Sequence, residues 1–400
     1  MKIVQINAVA ATSSTGRTTL ELHNALKKLG HQSWIAAPDT LNTSESIKIG
    51  GSIDRRFHSL YSRIFGRQGY ASSRSTRHFI KKLNEIKPDI VHLRNLHGNY
   101  INLPILLTYL TQENIAVVIT LHDCWFFTGH CCYFIDSNCN KWKKGCGNCP
   151  ELHQWNKSLF FDRTHSNIED KKKLFGAIKN LAVIGVSKWI TDFVNDSILK
   201  NARIIRPIYN WIDTEIFYPR NTKSLREKYA DDNKKVILGV SHVWNRQKGL
   251  DDFISLAKLL PKYKIILVGR IDSNLKLPQN IITPGRTENV NQLAEFYSLA
   301  DVFFNPSRRE TFGKVTAEAL SCGTPVVAYN ATATPELVPP QCGELIEIGN
   351  IEDAAKSIRS VLNRKDINAN CRKFALETFE KEMLVQRMVD LYSEISSNKQ

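Results

Sequence analysis

Residues 307–329 read SRRETFGKVTAEALSCGTPVVAY. The stretch follows an apolar run at 301–307. After Gly313 its apolar residues have the spacing of a helix, and residues 326–329 are again apolar. Gly323 closes the helical run, as glycine commonly does at the end of a helix. An apolar strand, a helix and a second apolar strand predict a β-α-β unit, whose two strands lie parallel in one sheet.

The same alternation extends in both directions along the chain. In the second half the strand-like and helix-like runs are 234–243, 249–261, 263–270, 280–286 and 289–300. In the first half they are 2–9, 18–30, 31–38, 79–95 and 113–125. Strands that alternate with helices indicate parallel sheets with helices on both faces. The predicted fold is therefore α/β, with two Rossmann-like, doubly wound domains.

The domain boundaries follow from where this alternation is interrupted. Residues 205–219 contain Pro207 and Pro219 and have little periodicity, so we expect a linker there. The first domain is expected over 1–205 and the second over 206–377, with a helical segment at 378–400 that packs back on the first. Because ligands of open α/β sheets bind at the carboxyl ends of the strands, we expect the site in a cleft between the two domains.

Composition narrows the class of protein. The chain has 400 residues, of which 42% are hydrophobic and 23% charged, so a large packed core is expected and global disorder is not. No apolar run approaches the roughly 18–20 residues that span a bilayer. Gln5 and Asn7 interrupt the opening apolar run, which fits a first strand better than a secretion signal. We expect a cytoplasmic protein, and the nine cysteines do not suggest a disulfide framework.

The net charge of +15 is concentrated in the first half of the chain. Residues 1–200 carry 26 basic and 15 acidic side chains, and the remainder carries 28 and 24. Segment 55–82 has no acid, and aromatic and apolar residues are interleaved with its basic ones. This segment is either a solvated basic face or a contact for an anionic surface, such as phospholipid or a diphosphate-linked acceptor. Zinc-finger, RNP and helix-turn-helix signatures are missing, so no nucleic acid is expected as a partner.

The chemistry of the quoted stretch lies in its two acids and its glycine. Seven residues separate Glu310 from Glu318, and Gly313 allows close backbone approach where a helix begins near Lys314. The start of a helix offers N–H groups and partial positive charge, which suit a diphosphate. Glu318, one turn into the helix, suits sugar hydroxyls as a strong acceptor. The alternative is an ordinary amphipathic helix with two surface acids.

The stretch resembles the E-x7-E region of retaining glycosyltransferases of GT-B architecture and family 4 type, and the resemblance covers nearly the whole chain. It implies that Glu310 contacts the transferred sugar and that Glu318 holds the ribose of the nucleotide. It also implies phosphate binding by four successive backbone amides, those of Phe312, Gly313, Lys314 and Val315. It implies no catalytic metal, and no D-x-D motif lies near the proposed donor site.

Two further stretches of the second half match family motifs. HVWNRQKGLDDF, at 242–253, resembles the basic diphosphate-binding motif, with Lys248 at the lysine position. The family usually has an arginine five residues earlier, where this chain has Val243, and Arg246 is the nearby alternative. Gly285 and Arg286 match the turn whose backbone reads the base.

In the first half, Gly16 and Arg17 resemble the family's glycine loop near the phosphates and the acceptor. TLHDCW matches the family's strand-end histidine, which places His122 against the transferred sugar. A lone histidine after an apolar strand is more often structural, but the carboxyl end of a strand is where ligands bind. Asp123 is expected to orient its neighbours.

Residues 95–165 resemble a narrower subgroup, the transferases of exopolysaccharide, colanic-acid and O-antigen assembly. The stretches that carry this likeness are LRNLHGNYINLPIL, TLHDCWFFTGHCCYF, CNKWKKGCGNCP and FFDRTHSN. The likeness implies a glycan or lipid-linked oligosaccharide acceptor at the inner face of a bacterial membrane. The basic segment 55–82 agrees with this implication.

A group of cysteines falls within the same part of the chain. Cys131, Cys139, Cys146 and Cys149 contain one C-x2-C pair, and four thiols suffice for a closed tetrahedral zinc site of structural type. The spacings outside the C-x2-C pair are not standard for zinc. Buried free thiols and a redox-active pair therefore stay open as alternatives.

The expected reaction moves a sugar from a UDP- or GDP-linked donor to a glycan-type acceptor. The resemblance implies retention by front-face attack, in which the leaving phosphate helps to deprotonate the acceptor, with Glu310, His122 and Lys248 at the reaction centre. A nucleotide-sugar epimerase of the same fold and a non-catalytic nucleotide- or carbohydrate-binding protein are the alternatives. A nicotinamide-dependent oxidoreductase is disfavoured, because neither domain has the dinucleotide glycine fingerprint.

Overall fold

The computed structural model describes residues 1–154, 156–230 and 234–397. The chain forms two compact units. Unit 1 consists of Met1–Ile208 together with the residues from Val385 onward, and unit 2 consists of Tyr209–Leu384. Each unit is built on one sheet in which every pair of neighbouring strands is parallel. The predicted fold class of two doubly wound α/β domains is therefore confirmed.

Unit 1 has seven strands in the order β3-β2-β1-β4-β5-β6-β7. They are β1 (Lys2–Ile6), β2 (Gln32–Ala37), β3 (Ser46–Lys48), β4 (Ile90–Leu93), β5 (Ala116–Leu121), β6 (Leu181–Gly185) and β7 (Ile204–Pro207). Every residue of β4, β5 and β6 is buried, as expected for central strands covered on both faces. The strand order reverses between β1 and β4, which is the point where ligands bind in doubly wound sheets.

The helices of unit 1 cover both faces of this sheet. They are α1 (Ser13–Lys28), α2 (Ser52–Phe65), α3 (Ser73–Ile86), α4 (Leu103–Gln112), α5 (Thr164–Gly176) and α6 (Lys188–Asp192). Asn102 caps α4 by accepting from the amide of Ile105, and Ser187 caps α6 by accepting from the amide of Ile190. Such caps satisfy donors that have no acceptor within the helix.

Unit 2 has six strands in the order β10-β9-β8-β11-β12-β13. They are β8 (Val236–Val243), β9 (Lys264–Arg270), β10 (Ile281–Gly285), β11 (Val302–Asn305), β12 (Val326–Tyr329) and β13 (Gly343–Ile346). The helices are α7 (Lys223–Tyr229), α8 (Leu250–Leu259), α9 (Val290–Leu299), α10 (Lys314–Ser321), α11 (Ile351–Leu362), α12 (Ile367–Phe379) and the first residues of α13 (Lys381–Ser396). The β-α-β unit predicted from 307–329 is the sequence β11-α10-β12, and the order of this sheet reverses between β8 and β11.

The expected linker contains regular structure that its prolines obscured. Residues 204–207 form the edge strand β7, which pairs with β6, so the linker expected from 205 was wrong at its beginning. Pro207 is the last residue of this edge strand, a position where proline costs no ladder hydrogen bond. The first division between the units falls after Ile208, compared with the expected position after residue 205.

The C-terminal segment divides between the units. Its later part belongs to unit 1, where the Tyr392 hydroxyl lies 2.6 Å from Nδ1 of the buried His92. Residues 378–384 stay with unit 2, although we expected them on the first domain. Phe379 packs there against Tyr209 and Phe312, and the backbone of Glu380 pairs with that of Ile212. The last three residues of the expected segment, 398–400, lie outside the described residues.

The helices given above all lie within residues 1–154, 156–230 and 234–397. None of the helices there combines the length and the apolar character that crossing a bilayer demands.

Candidate active site

One candidate site region lies in unit 2, where the strand order reverses. After β8 the chain forms a short 3₁₀ turn over Arg246–Lys248, and the side chain of Asn245 caps it by accepting from the Lys248 amide at 3.1 Å. After β11 the chain enters the loop that carries Glu310. Both segments follow the carboxyl ends of neighbouring strands, the position expected for a ligand site in a doubly wound sheet.

A glycine lets the turn and the loop touch. Gly249 has φ 75°, and a Cβ atom at this position would lie 2.4 Å from Cγ of Pro306. Any other residue would therefore meet both backbone strain and a steric clash. The close approach at Gly249 brings the residue before it, Lys248, alongside the loop that follows β11.

Lys248 and Glu310 meet directly. The Lys248 ammonium lies 2.5 Å from Oε1 of Glu310 and 3.3 Å from Oγ of Ser307. The Glu310 backbone is fixed as well, since its amide donates to Oγ1 of Thr332 at 2.8 Å. The structure thus places two of the three expected catalytic residues in contact, and Ser307 beside them.

A second ion pair holds the loop that follows β11. Arg308 donates to both carboxylate oxygens of Asp252, at 2.7 and 3.2 Å, and also to the carbonyl of Arg246 at 3.0 Å. The Asp252 pair raises the pKa of the Arg308 guanidinium above its ordinary value. Arg246 itself is exposed, and Val243 is the last residue of β8.

Helix α10 begins at Lys314, as the sequence predicted. Gly313 precedes it with φ 93°, a left-handed conformation that favours glycine. Gly313 has no side chain that could cap the helix, and the first N–H groups of a helix lack acceptors within the helix. The backbone from Phe312 to Val315 therefore forms a helix start of the kind that binds phosphate.

The acid within this helix is buried. Glu318 is 2% exposed, and its Oε2 accepts a hydrogen bond from the Tyr297 hydroxyl at 3.0 Å. The alternative interpretation of Glu310 and Glu318 as ordinary surface acids is therefore wrong for Glu318. A buried carboxylate needs hydrogen-bond donors, and Tyr297 is one that the sequence did not reveal.

The turn expected to read the base lies at the edge of the same sheet. Gly285 ends β10 with φ 84°, and the space where a Cβ would stand is open. Arg286, the next residue, lies on the surface with a guanidinium nitrogen 2.9 Å from Nε2 of His242.

In unit 1, Gly16 and Arg17 are the fourth and fifth residues of α1, and the loop we expected at this position is helical. The helix starts at Ser13, which has φ 63°, so the tight turn precedes Gly16. A Cβ on Gly16 would lie 2.8 Å from the carbonyl carbon of Ala11. Glycine is needed here because the chain folds back on itself where it leaves β1.

Arg94 connects this helix start to His122. The guanidinium of Arg94 is 2% exposed and donates to Oγ1 of Thr18 at 2.9 Å, to Oε1 of Gln5 at 3.3 Å and to Nε2 of His122 at 3.2 Å. These three partners are neutral hydrogen-bond acceptors, and burial lowers the pKa of Arg94 to about 10. The contact makes Nε2 of His122 an acceptor, which assigns the imidazole proton to Nδ1.

Asp123 orients two neighbours of His122. Its Oδ2 lies 2.7 Å from Nε2 of His97, and its Oδ1 accepts from the Trp125 amide at 2.9 Å. Burial opposes ionisation of Asp123, but the charge and hydrogen bond of His97 outweigh it and lower the pKa of the carboxyl. Burial similarly opposes protonation of His97, and Asp123 outweighs it and raises the pKa of that imidazole.

Two family models divide the chain between them. Glycosyltransferase Family 4 matches residues 15–216, which is half of the chain, and Glycosyl transferases group 1 matches residues 221–378. The chain belongs to glycosyltransferase family 4. The family recognised from the E-x7-E stretch is thereby confirmed.

Relatives of this family 4 chain are distant. N-acetyl-alpha-D-glucosaminyl L-malate synthase of Bacillus anthracis is 24% identical over 55% of this chain and 61% of its own length. WcaC of Escherichia coli, named as a colanic acid biosynthesis glycosyl transferase, is 25% identical over 65% and 64%. The chain thus spans less than two thirds of the length of either relative.

Solved structures of low sequence identity share the fold. HepE of Anabaena, crystallised with UDP-glucose, superposes with a TM-score of 0.69 at 16% identity, over 98% of this chain and 100% of HepE. The two doubly wound units of this family 4 chain thus have the GT-B architecture that the resemblance implied.

Several residues of this family 4 site were not found by sequence reasoning. They are Arg94 and His97 in unit 1 and Tyr297 and Ser307 in unit 2. Arg94 alone had a visible clue, because a charged residue directly follows the apolar strand β4. The others lie among ordinary surface and core residues, and their contacts depend on how the sheet strands are ordered.

The four cysteines expected to bind zinc line one small cavity in unit 1, together with His130, Lys141, Trp142, Gly147, Pro150 and Glu151. All of the chain's cysteines are free thiols. Within the described residues, three ligand atoms lie mutually within 4.8 Å only at His97, Asp123 and Cys132, so no three of the four sulfur atoms meet that distance.

Proposed function

We propose that this family 4 protein transfers a sugar from a nucleoside-diphosphate sugar to a glycan-type acceptor in bacterial surface polysaccharide assembly. The observation that carries the proposal is the contact of Lys248 with Glu310 at 2.5 Å, beside the phosphate-binding type of helix start at Gly313. A nucleotide sugar has three parts that need recognition: the diphosphate, the sugar hydroxyls, and the junction between sugar and diphosphate. A cation, a carboxylate and a helix start suit these three parts.

The donor diphosphate is assigned to Lys248 and to the backbone from Phe312 to Val315. When the bond between sugar and phosphate breaks, negative charge develops on the diphosphate. Lys248 and the start of α10 stabilise that charge without reorganising, as preorganised donors do in oxyanion holes. Ser307 holds the lysine in place, and Arg246 is close enough in sequence to add positive charge.

The sugar and the nucleoside are assigned to the two acids and to the edge turn. Glu310 accepts from hydroxyl groups of the transferred sugar and positions it without attacking it. Glu318, fixed by Tyr297, holds the ribose, and the backbone at Gly285 and Arg286 reads the base. HepE, which shares the fold, binds UDP-glucose, and this supports a UDP-linked donor for the present protein.

The acceptor side is assigned to unit 1. His122, with its proton on Nδ1, hydrogen-bonds to the transferred sugar, and Gly16 and Arg17 lie at a helix start that suits an anionic group. Transfer proceeds with retention, and the leaving phosphate accepts the proton of the attacking hydroxyl, so no catalytic metal is required. WcaC is named for colanic acid biosynthesis, which supports a role in polysaccharide assembly. The acceptor class that we propose is a lipid-linked oligosaccharide, as the family resemblance of residues 95–165 implies.

An anionic membrane surface is the proposed partner of α2. This helix turns polar His58 and Ser62 into the protein and exposes apolar side chains, with Ile53 81% and Phe57 63% exposed. Leu60 is exposed on the same helix. A helix with polar residues inside and apolar residues outside suits contact with an apolar phase.

A second segment extends this apolar surface. Residues 159–161 expose one leucine and two phenylalanines, and Phe160 is 71% exposed. The ring of Phe161 stacks on that of Phe65, with centroids 6.2 Å apart. Arg55, Arg56 and Arg63 are exposed on α2, so an apolar patch with basic neighbours faces outward. Anionic lipid at the inner face of the cytoplasmic membrane matches both properties.

The donor assignment is tested by thermal denaturation of the full chain with UDP, GDP, ADP, CMP and their sugar conjugates. A ligand at a hundredfold excess over Kd stabilises the folded state by about 2.7 kcal/mol. We expect a shift with one nucleotide family. The shift should vanish in Glu318→Gln and persist in Glu377→Gln, which changes an exposed glutamate on α12. A shift that survives Glu318→Gln would contradict the ribose assignment.

Turnover distinguishes the transferase from its alternatives. We expect nucleotide release that depends on added polyprenyl-diphosphate-linked acceptor, and an α-linked product from an α-linked donor. A β-linked product would overturn retention. Acceptor-independent formation of UDP with an altered sugar would indicate an epimerase, and binding without turnover would indicate a non-catalytic protein.

A further inference from the structure

The stretch between Phe127 and Thr164 contains little regular structure for its length. Among its described residues the chain forms one 3₁₀ turn, Lys141–Lys143, and no strand. Loops longer than about 12–15 residues without secondary structure of their own are uncommon in compact domains, so this one needs something that fixes it. Trp142 fixes part of the loop by packing against Phe127, Phe134 and Phe193.

Four cysteines lie around one point of this stretch. Cys131, Cys139, Cys146 and Cys149 line a common cavity of about 10 Å³, a volume that is marginal even for one water molecule. We propose that these four thiols bind one structural zinc ion, which fixes this loop in unit 1. The proposal is independent of the glycosyl transfer proposed above.

The backbone around Cys146 has the shape of a metal-binding knuckle. Gly145 and Gly147 flank it with φ 127° and 141°, and Asn148 has φ 44°, so the chain reverses tightly between Cys146 and Cys149. The Gly129 amide donates to Sγ of Cys146 at 3.3 Å. Backbone N–H groups directed at sulfur stabilise thiolates, the form of cysteine that binds metal.

A buried histidine at the same cavity has a nitrogen without a partner. His130 is 5% exposed and lines the cavity, and its Nε2 is buried with no hydrogen-bond partner. Such a group costs roughly 1–3 kcal/mol when unsatisfied. A neutral imidazole has one N–H, and with that proton on Nε2 this nitrogen would donate to a zinc-bound thiolate, in the manner of groups that surround metal ligands.

Positive charge nearby suits four thiolates around a divalent ion. The Lys141 ammonium donates to the carbonyls of Gly147 and Asn148, at 3.2 and 2.7 Å. Each thiol releases its proton to solvent when it binds the ion. Zinc–sulfur bonds of about 2.3 Å place the sulfur atoms of a tetrahedral site roughly 3.8 Å apart. Binding therefore draws the four sulfur atoms closer than they lie in the described chain.

The cluster of His97, Asp123 and Cys132 is the competing metal site. Its three ligand atoms lie within 4.8 Å of one another. However, Nε2 of His97 and Oδ2 of Asp123 already form a hydrogen bond of 2.7 Å, and Asp123 also accepts a hydrogen bond from the Trp125 amide. These atoms are satisfied without an ion. Cys132 therefore provides the matched control, since it lies beside Cys131 but outside the proposed ligand set.

The test measures zinc in the full chain after purification without chelators. We expect about one zinc per chain, retained in Cys132→Ser and lost in Cys146→Ser and Cys149→Ser. Cobalt substituted for zinc should show intense thiolate charge-transfer and tetrahedral absorption bands. Cys149→His, which keeps a ligand, should retain the metal and lower the charge-transfer intensity by about a quarter, because three of four thiolates remain.

Other outcomes would overturn the proposal. Zinc lost in Cys132→Ser but kept in Cys146→Ser would assign the ion to the His97 cluster. Wild-type protein without zinc and with all nine thiols reactive after denaturation would establish buried free thiols. Loss of two of those thiols to oxidation, again without zinc, would establish a redox-active pair.

Discussion

The two units handle charge in different ways. In unit 2 the candidate site contains two ion pairs, Lys248 with Glu310 and Arg308 with Asp252. In unit 1 the central cation, Arg94, is buried among neutral acceptors. Histidine is divided as unevenly, since all but one of the 11 histidines lie in unit 1, and His242 is the exception.

In the unit 2 site, opposite charges neutralise each other. In the unit 1 site, a buried charge is hydrogen-bonded to neutral groups, which is electrostatically unfavourable. If a phosphate group of a bound ligand replaces the Glu310 carboxylate as the partner of Lys248, the lysine stays paired with an anion before and after binding. Burying Arg94 without a hydrogen-bonded acid costs free energy of folding, and such a cost is common at functional sites. Unit 2 thus suits a diphosphate, and unit 1 retains a buried cation that donates a hydrogen bond to His122.

The largest expected effect comes from removing the paired cation. Lys248→Met should lower the rate of sugar transfer by about 10²–10³-fold, the usual cost of losing one preorganised donor. Lys248→Arg should recover part of the activity, and Lys258→Met, on the exposed face of α8, should leave it unchanged. The rate of nucleotide release at saturating donor measures this, and a fall of less than threefold would remove Lys248 from the reaction centre.

The next effect concerns the exposed helix of unit 1. Phe57→Ser combined with Leu60→Ser should lower the partition coefficient onto phosphatidylglycerol vesicles roughly 10²-fold, because each apolar side chain contributes about 1.5–3 kcal/mol when fully buried. Leu259→Ser, which changes an exposed leucine of unit 2, is the control. Sedimentation with vesicles measures both. Equal binding by the two variants would show that α2 does not contact lipid.

Arg94→Met tests whether the buried cation serves orientation and not stability. Transfer should fall about 10–10²-fold, because His122 loses the donor that fixes its tautomer and position. The free energy of unfolding should stay the same or rise, since an apolar side chain replaces a buried charge. Urea denaturation and initial rates measure the two effects. A variant that loses stability while keeping its rate would reverse the assignment.

The smallest effect is a pH dependence confined to unit 1. Burial lowers the pKa of His58 to about 4, and its Nε2 accepts from the Gly69 amide at 3.1 Å. Between pH 6.5 and 4 the unfolded chain binds a proton that the folded imidazole does not bind. The free energy of unfolding should therefore fall by about 1.4 kcal/mol per pH unit over this range, and no such loss should occur above pH 6.5.

Urea unfolding at pH 7, 6 and 5 checks this expectation. His58→Gln should flatten the slope, and His78→Gln, on the exposed side of α3, should not change it. His23 and His92 also have pKa values lowered by burial and belong to unit 1. Unit 1 should accordingly unfold at higher pH than unit 2. If both units unfold at the same acidic pH, the expected difference in acid stability between them is wrong.

Local sequence predicted most of unit 2. The β-α-β unit and the start of α10 at Lys314 followed from residues 307–329, because glycine positions and apolar periodicity act over a few residues. The edge strand β7 did not, because its short run at 204–207 ends in proline and is identified only by its pairing with β6. Residues 378–384 likewise join unit 2 through packing on Tyr209 and Phe312, which the segment itself does not encode.

The sequence by itself determined the family, the two doubly wound units and the residue types of the proposed donor site, since E-x7-E, glycine and a helix start are neighbours in the chain. Only the tertiary structure decided which groups meet. Lys248 reaches Glu310 across 62 residues because β8 pairs with β11, and Arg94 reaches His122 because β4 pairs with β5. Strand order is set by burial of the whole sheet, a property that no short stretch of sequence contains.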